Sequence, residues 1–349
     1  MKKQATILLL IFFCGSMLFI DACKKKDIPV KEPFNPTYLT LKTPAGWPPP
    51  PADIFSANTL TEEGFQLGKK LFYDGRLSKD GDFPCASCHQ QFASFATYDH
   101  DFSHGYNNSF TTRNTPATFN LAWTTSFGWD GRFNNIEAES LTHITAPNEM
   151  AENIDSVILK LRNVPEYKTM FKAAFGDDEI NSQRLVKAIA QFTGSIISSE
   201  SKYDRVKRGQ ENFNSNEQNG YTIFKSKCDA CHKEPLFTDY SFRNNGLALN
   251  SLNDKGRMRI TGNSSDSLKF KVPTLRNIEL TFPYMHDGRI YSLSQAIDHY
   301  RTGIITTQPT LDPLLTARIT MTTTERNDLI YFLYTLSDSA LCKNPRFMQ

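Results

Sequence analysis

The sequence of 349 residues predicts a mostly α-helical protein with two related parts, long loops and little β-structure. Apolar residues recur at helical spacing in several segments, whereas strict alternation of apolar and polar residues, the mark of a half-buried strand, is scarce. A group of residues is also repeated 157 positions further along the chain. Hydrophobic residues make up 39% and charged residues 22% of the chain, as in globular proteins and unlike disordered ones.

Helix signals occur in five segments. Thr61 opens a predicted helix that runs through Phe72. Ser215 with Gln218, and Thr322 with Glu325, have the spacing of a capping box and predict two further helix starts. Two more helices are predicted from apolar residues at helical spacing, namely Ile154, Val157, Ile158 and Leu161, then Leu185, Ile189, Phe192 and Ile196.

The N-terminal residues resemble an export signal. Lys2 and Lys3 precede an apolar run that is too short to span a membrane, so residues 1–22 are interpreted as a signal peptide. Ala22 before Cys23 resembles a lipoprotein cleavage site and predicts lipidation of Cys23, with ordinary signal cleavage as the alternative. The chain is therefore expected in the periplasm or cell envelope, attached to the membrane by a lipid anchor only.

Residues 23–51 are polar and rich in proline, and they are interpreted as a tether between the membrane and the globular part. Lys24, Lys25 and Lys26 would add an electrostatic attraction to the membrane surface. The net charge of the whole chain is only +2, too balanced to indicate a nucleic-acid partner.

Two cysteine motifs carry the chemistry. Cys85-Ala86-Ser87-Cys88-His89 and Cys228-Asp229-Ala230-Cys231-His232 both have the pattern Cys-x-x-Cys-His. This is the attachment signature of c-type haem, in which two thiols form thioethers and the histidine binds the iron. Redox or zinc sites are the alternatives, but zinc needs further ligands and Cys342, which has no evident role, is the one cysteine left over. Two covalent haems are predicted.

The internal repeat relates the surroundings of the two motifs. Pro116 to Asn120 and Asp130 to Arg132 recur 157 positions later as Pro273 to Asn277 and Asp287 to Arg289. The same offset places His143 opposite Tyr300, and both side chains can bind iron. The prediction is therefore two cytochrome c-like haem domains, residues 52–205 and 206–349.

Several segments together resemble the bacterial di-haem cytochrome c peroxidase family, which includes the di-haem enzyme that matures the tryptophylquinone cofactor of methylamine dehydrogenase. The resemblance runs from about residue 53 to residue 338. Besides the two haem motifs, the segments are Leu67–Asp74 with Arg76–Ser78, Arg113–Pro116, Trp129–Arg132, Asn148–Met150, Pro235–Thr238, Pro273–Asn277 and Pro283–Gly288.

The resemblance implies that the N-terminal haem, held by Cys85, Cys88 and His89, is the site of peroxide reduction. Glu149 takes the place of the family's acid–base group. His104, followed by Gly105, matches a removable distal ligand, with His100 as the neighbouring alternative.

Two residues depart from the family pattern beside that haem. Glu139 stands where glutamine is usual, and His143 stands where proline is usual. We expect His143 to line the distal pocket, as a base that handles peroxide or as a sixth iron ligand.

The C-terminal haem, held by Cys228, Cys231 and His232, is implied to be the site of electron entry. Its far-side ligand is expected to be Tyr300, with Met285 as the alternative. Trp129 matches an indole that relays electrons between the haems, and a calcium site is implied at Asn114, Thr281 and Pro283.

The resemblance implies an enzyme that reduces hydrogen peroxide to water with electrons from a small cytochrome c or a cupredoxin. One alternative is an oxidase of a protein or small molecule that works through high-valent haem, like the cofactor-maturing relatives. The other is a di-haem electron carrier without catalysis. The family also contains dimers, so a homodimer is compatible with the resemblance.

Overall fold

The computed structural model describes residues 34–349. Asn35–Gln349 form one compact unit. The predicted signal peptide, Cys23 and the lysines at 24–26 lie outside the described residues. The described part of the predicted tether lies against the globular unit, because Leu39 N donates to Leu60 O at 2.9 Å and Trp47 packs on Trp123 with ring centroids 5.1 Å apart.

Helices dominate the structure, as predicted. The α-helices, numbered in chain order, are α1 Glu62–Phe72, α2 Cys85–Cys88, α3 Ile136–Thr145, α4 Ile154–Arg162, α5 Pro165–Phe175, α6 Ser182–Gly194, α7 Lys202–Lys207, α8 Ser215–Lys227, α9 Met258–Thr261, α10 Leu293–Asp298, α11 Thr323–Tyr334 and α12 Ser339–Cys342. A π-helix, His299–Gly303, continues α10. Short 3₁₀ helices are Gly75–Leu77, Gln91–Ala93, Tyr106–Asn108, Leu121–Trp123, Ser264–Asp266 and Pro313–Leu315.

The β-structure of the described residues is confined to two small antiparallel sheets. β1 (His104–Gly105) pairs with β2 (Ser109–Phe110), and β3 (Phe242–Arg243) pairs with β4 (Phe270–Lys271). The prediction of a mostly helical fold with little sheet is confirmed. Within the described residues, no helix is long and apolar enough to cross a membrane.

The helix starts follow from side-chain caps. Thr61 Oγ1 accepts from Gly64 N at 3.0 Å, and Thr322 forms a capping box with Glu325, both as predicted. The predicted N-cap Ser215 is wrong by one residue, and Ser215 is instead the first residue of α8. Asn214 is the N-cap of α8, because its side chain accepts from Glu217 N and Glu217 in turn accepts from Asn214 N.

Two helix pairs form the frame, and each pair is brought together at a glycine. Gly68 of α1 lies so close to α6 that a Cβ there would come within 1.9 Å of Ala188 O. Gly220 of α8 lies against α11 in the same way, at 2.0 Å from Asp328 O. Close backbone approach of this kind requires a residue without a side chain.

Local geometry repeats at the offset of 157 seen in the sequence. An antiparallel bridge joins Phe127 to Phe133, and another joins Tyr284 to Ile290. Three residues after the second member of each bridge, a helix begins. α3 is capped by Asn135 and α10 by Ser292. As a result His143 and Tyr300 occupy corresponding turns, although the turn with Tyr300 is a π-helix.

The predicted boundary between residues 205 and 206 falls inside α7. Asp204 of α7 is almost fully buried and forms a two-bonded ion pair with Arg276, at 2.8 and 2.9 Å. This helix is therefore attached to the part of the chain that follows it.

Candidate functional site

One cavity of about 820 Å³ reaches both cysteine motifs. Its lining is predominantly apolar and includes Cys85, Cys88, His89, Cys228, Cys231 and His232. The four cysteines form no disulfide. Burial raises the pKa of Cys85 to about 12 and that of Cys228 to about 12, so both thiols are protonated at neutral pH.

The zinc interpretation of these motifs finds no support in the geometry. Among the described residues, no three His, Cys, Asp or Glu side chains are grouped so that they could hold a metal ion. A structural zinc site needs four such ligands.

The two motif histidines are oriented alike. His89 Nδ1 lies 3.0 Å from Phe95 O and 2.8 Å from Thr118 Oγ1, and His232 Nδ1 lies 3.2 Å from Phe237 O. Burial lowers the pKa of His89 to about 4 and lowers that of His232 as well, so both rings are neutral. A neutral ring whose Nδ1 is held by hydrogen bonds leaves Nε2 free as an iron ligand.

The cavity therefore fits two covalent haems on three counts. Each motif offers two free thiols, each offers one imidazole with an unused nitrogen, and the walls between them are apolar. These are the donors and surroundings that c-type haem requires.

A row of three ionisable side chains lines the cavity beside the first motif. Helix α3 carries Glu139 and His143, four residues apart and hence on one face. Glu149 lies on the turn that follows, where its amide donates to Ala146 O at 3.0 Å. His143 Nδ1 lies 2.6 Å from Glu149 Oε2. We call Glu139, His143 and Glu149 the distal row.

Burial and hydrogen bonding act in opposite directions within the distal row. Burial alone would lower the pKa of His143, but the hydrogen bond and charge of Glu149 outweigh it and raise that pKa. Burial raises the pKa of Glu139. Both shifts favour the protonated forms of His143 and Glu139.

Tyr300 and Met285 both line the cavity near the second motif, so the structure keeps both ligand candidates in place. Asn245 Nδ2 lies 3.4 Å from Met285 Sδ, and the Asn245 side chain also faces the Tyr300 phenol, where it acts to lower the pKa of Tyr300. Burial raises the pKa of Tyr300. Asn245 was not identified from the sequence, because a single asparagine in a loop carries no spacing signal.

Trp129 and Lys271 lie side by side in the cavity wall. Trp129 Nε1 donates to Asn114 O at 2.8 Å, and Lys271 N donates to Trp129 O at 2.8 Å. Lys271 Nζ donates to Ser126 O at 2.5 Å and has no carboxylate within 4.0 Å among the described residues. Burial lowers the pKa of Lys271 to about 8. This half-buried lysine was not predicted from the sequence, since lone lysines are usually solvated.

The other site residues predicted from the sequence also line the cavity, namely His104, Asn114, Thr281 and Pro283. His104 is exposed, with its ring 4.8 Å from Phe110 and 5.3 Å from His100. His104 lines the cavity. Asn114 is buried, and its amide donates to His100 O at 3.1 Å and Asp101 O at 3.2 Å. Thr281 and Pro283 line the cavity as well.

Cys342 contacts the segment that follows the first motif and does not line the cavity. Its Sγ is 3.3 Å from Ser94 Oγ, and it is a free thiol.

Known proteins are similar to this chain over most of its length. Residues 62–212 match the family model described as di-haem cytochrome c peroxidase. The methylamine utilization protein MauG of Methylorubrum extorquens is 35% identical over 333 residues, which cover 93% of this chain and 92% of that protein. The chain belongs to the di-haem cytochrome c peroxidase family. As a member of this di-haem family it holds two haems, and it is an oxidoreductase of the peroxidase type.

Another relative in this family is the cytochrome c551 peroxidase of Nitrosomonas europaea. It is 38% identical over 238 residues, which cover 67% of this chain and 71% of that protein. Among solved structures, a MauG-like protein associated with microbial copper homeostasis has a TM-score of 0.81 at 31% identity, with 89% of this chain and 99% of that chain covered. The diheme peroxidase BthA from Burkholderia thailandensis has a TM-score of 0.71 at 20% identity, over 82% of this chain and 89% of that chain, and shares the fold.

Proposed function

We propose that this protein reduces hydrogen peroxide at the cavity beside His89, with electrons from a small cytochrome c or a cupredoxin. Each peroxide takes up two electrons and two protons and leaves as two water molecules. The observation that carries this proposal is the position of Glu149, a carboxylate that lines the cavity beside the first haem motif and is hydrogen-bonded to His143. An acid–base group beside the iron is what peroxide cleavage requires.

The haems would be held by residues of this chain in two sets. Cys85 and Cys88 would bind the first covalently, and His89 would bind its iron. Cys228 and Cys231 would bind the second, and His232 with either Tyr300 or Met285 would bind its iron. When bound, the haems supply redox-active iron that accepts electrons from the donor and delivers them to peroxide.

Glu149 would move the proton within the bound peroxide. In its ionised form the carboxylate accepts the proton from one peroxide oxygen and returns it to the other, which can then leave as water. Trp129 would relay electrons between the two sites, because its indole lines the cavity and its ring nitrogen is fixed to Asn114 O. His104 is proposed as a distal ligand that moves away, with His100 as the alternative. The side chain of His104 is exposed and lines the cavity, which supports such movement.

A second candidate is oxidation of a protein or small molecule other than the electron donor. Tyr300 favours it, because a phenol ligand would stabilise oxidised iron better than a thioether. The similarity to MauG of Methylorubrum extorquens, 35% identity over 93% of this chain, also favours it. In that case the protein would consume peroxide in the absence of a reduced cytochrome or cupredoxin, provided that the other substrate is present.

The two halves are proposed to be related haem domains. The matching bridges and helix caps at an offset of 157 support this relation. A calcium ion is proposed at Asn114, Thr281 and Pro283, because carbonyl and amide oxygens suit this hard cation. A homodimer also remains a proposal.

Export to the periplasm, with Cys23 lipidated, is proposed as the location. Attachment of c-type haem fits the export signal predicted from the sequence, and the proposed donors are small proteins of the same compartment.

The proposal is tested by steady-state turnover of hydrogen peroxide with a reduced small cytochrome c, using the haem-loaded protein. We expect Glu149→Gln to lower kcat by about 10² or more. Glu137→Gln is the matched control, since Glu137 is on α3 but does not line the cavity. Native-like turnover by the Glu149 variant, or no turnover by the native protein, would contradict the proposal.

A further inference from the structure

We propose that the distal row, and not Glu149 alone, handles the protons of the reaction, with His143 passing protons to Glu149 and Glu139 supplying His143. The inference rests on the proposed peroxide reduction. His143 thus acts through Glu149. Glu139 and His143, the two residues that depart from the family pattern, would both serve this transfer of protons.

The central contact is the short hydrogen bond between His143 Nδ1 and Glu149 Oε2, at 2.6 Å. It is supported by the backbone on both sides. Met150 N donates to His143 O at 3.4 Å, and Tyr106 N donates to Glu149 O at 2.8 Å. The carboxylate is therefore held in one place next to the imidazole, and the orientation of each group depends on the other.

The third member of the row lies on the same helical face. Glu139 precedes His143 by four residues on α3, and both line the cavity. The side chain of His143 is 44% exposed and that of Glu149 25% exposed, with the cavity in front of them. Because an imidazole can accept a proton at one nitrogen while it donates from the other, His143 is suited to connect the two carboxyl groups.

Burial and neighbouring charges act on both His143 and Glu139. Glu149 and Glu139 face His143 and favour its cationic form, while Arg132 and burial oppose it. His143, Lys271 and Arg132 face Glu139 and favour its ionised form, but burial outweighs them. We infer that His143 and Glu139 can hold protons behind Glu149, in line with their place on one face of α3.

The chemistry needs this capacity. Reduction of one peroxide consumes two protons and two electrons, whereas a single carboxyl group holds one proton at a time. A lone Glu149 would have to be reprotonated from solvent within each cycle. With Glu139 and His143 behind it, the second proton is already in place when the donor protein delivers the second electron.

The test uses haem-loaded His143→Gln and His143→Leu, mixed rapidly with hydrogen peroxide. Gln preserves a hydrogen-bond donor to Glu149 but cannot carry a proton, and Leu removes both properties. We expect the ferric absorption spectrum of both variants to match the native one and the peroxide reaction to slow by about tenfold to a hundredfold. Added imidazole should restore part of the rate in His143→Ala. Thr145→Ala, an exposed position on α3, should react like the native protein.

Three outcomes would overturn the inference. One is a peroxide reaction within twofold of native in both variants. Another is a changed ferric spectrum, which would identify His143 as an iron ligand. The third is full activity of His143→Gln, which would show that the histidine serves only as a hydrogen-bond donor to Glu149. In all three cases the native protein still reduces peroxide, so failure of the inference is distinguishable from failure of the proposed function.

Discussion

Asn120 and Asn277 adopt the same backbone conformation and make the same contact in the two halves of the chain. Their φ angles are 55° and 60°, in the left-handed region. Asn120 Oδ1 accepts from Ser198 N at 2.9 Å, and Asn277 Oδ1 accepts from Asp338 N at 2.7 Å. Each asparagine thus ties the segment after its haem motif to the chain four residues beyond a long helix, α6 or α11.

This relationship gives a prediction for Asn277. Replacement by Ala loses the buried hydrogen bonds and keeps a strained φ, so we expect the free energy of unfolding to fall by about 3 kcal/mol. Asn277→Gly loses the same bonds but tolerates the backbone, and should be more stable than Asn277→Ala by about 1 kcal/mol. Urea unfolding followed by circular dichroism measures both. Equal stability of the two variants would show that the left-handed conformation is not strained.

The glycine contacts between helices predict a second effect. In Gly220→Ala the new methyl group would meet the carbonyl of Asp328, and α8 would have to move away from α11. We expect the free energy of unfolding to fall by about 2 kcal/mol. Gln218→Ala, at an exposed position on the same helix, should leave stability within about 0.5 kcal/mol of native. Thermal unfolding compares the three proteins, and an equal melting temperature for all would refute the close contact.

Axial ligation of the second haem is decided by two matched variants. Tyr300→Phe removes the phenol oxygen and keeps the ring, so it should change the electron paramagnetic resonance spectrum of one haem. Met285→Leu should leave that spectrum unchanged. The opposite pattern would assign the ligand to Met285, and no change in either variant would exclude both residues.

A buried ion pair predicts how stability depends on pH. Burial alone would raise the pKa of Asp254, but Arg113, at 2.6 and 2.9 Å, outweighs it and lowers the pKa to about 2 from 3.8. Since the folded pKa is depressed, the stabilisation is complete above pH 4 and is lost as the pH falls toward 2. At pH 7 we expect Asp254→Asn to be less stable than native by about 2 kcal/mol. Urea unfolding should show this difference shrinking at pH 3, and a constant difference would contradict the assignment.

Sequence patterns anticipated those features that depend on local spacing. Residue spacing alone predicts the haem motifs, the caps at Thr61 and Thr322, and the correspondence between His143 and Tyr300. The N-cap of α8, Asn214, was missed because Ser215 and Asn214 are both good caps. The choice depends on which side chain meets the amide three residues later.

Contacts between distant segments could not be predicted. Lys271 enters the cavity wall only because β4 places it beside Trp129, which is 142 positions earlier. Asn245 reaches Tyr300 and Met285 from another loop. The hydrogen bond between His143 and Glu149 could not be predicted either. Glu149 follows the end of α3, and helical spacing does not give the direction in which the chain turns there. These positions depend on tertiary folding around the cavity.

The proposed reaction is the reduction of peroxide to water by electrons from a donor protein. Its most direct test is a titration of the haem-loaded protein, mixed with excess reduced cytochrome c, with measured amounts of hydrogen peroxide. We expect two molecules of cytochrome c to be oxidised for each peroxide consumed, and Glu149→Gln to oxidise them far more slowly. Consumption of peroxide with the cytochrome left reduced would contradict it.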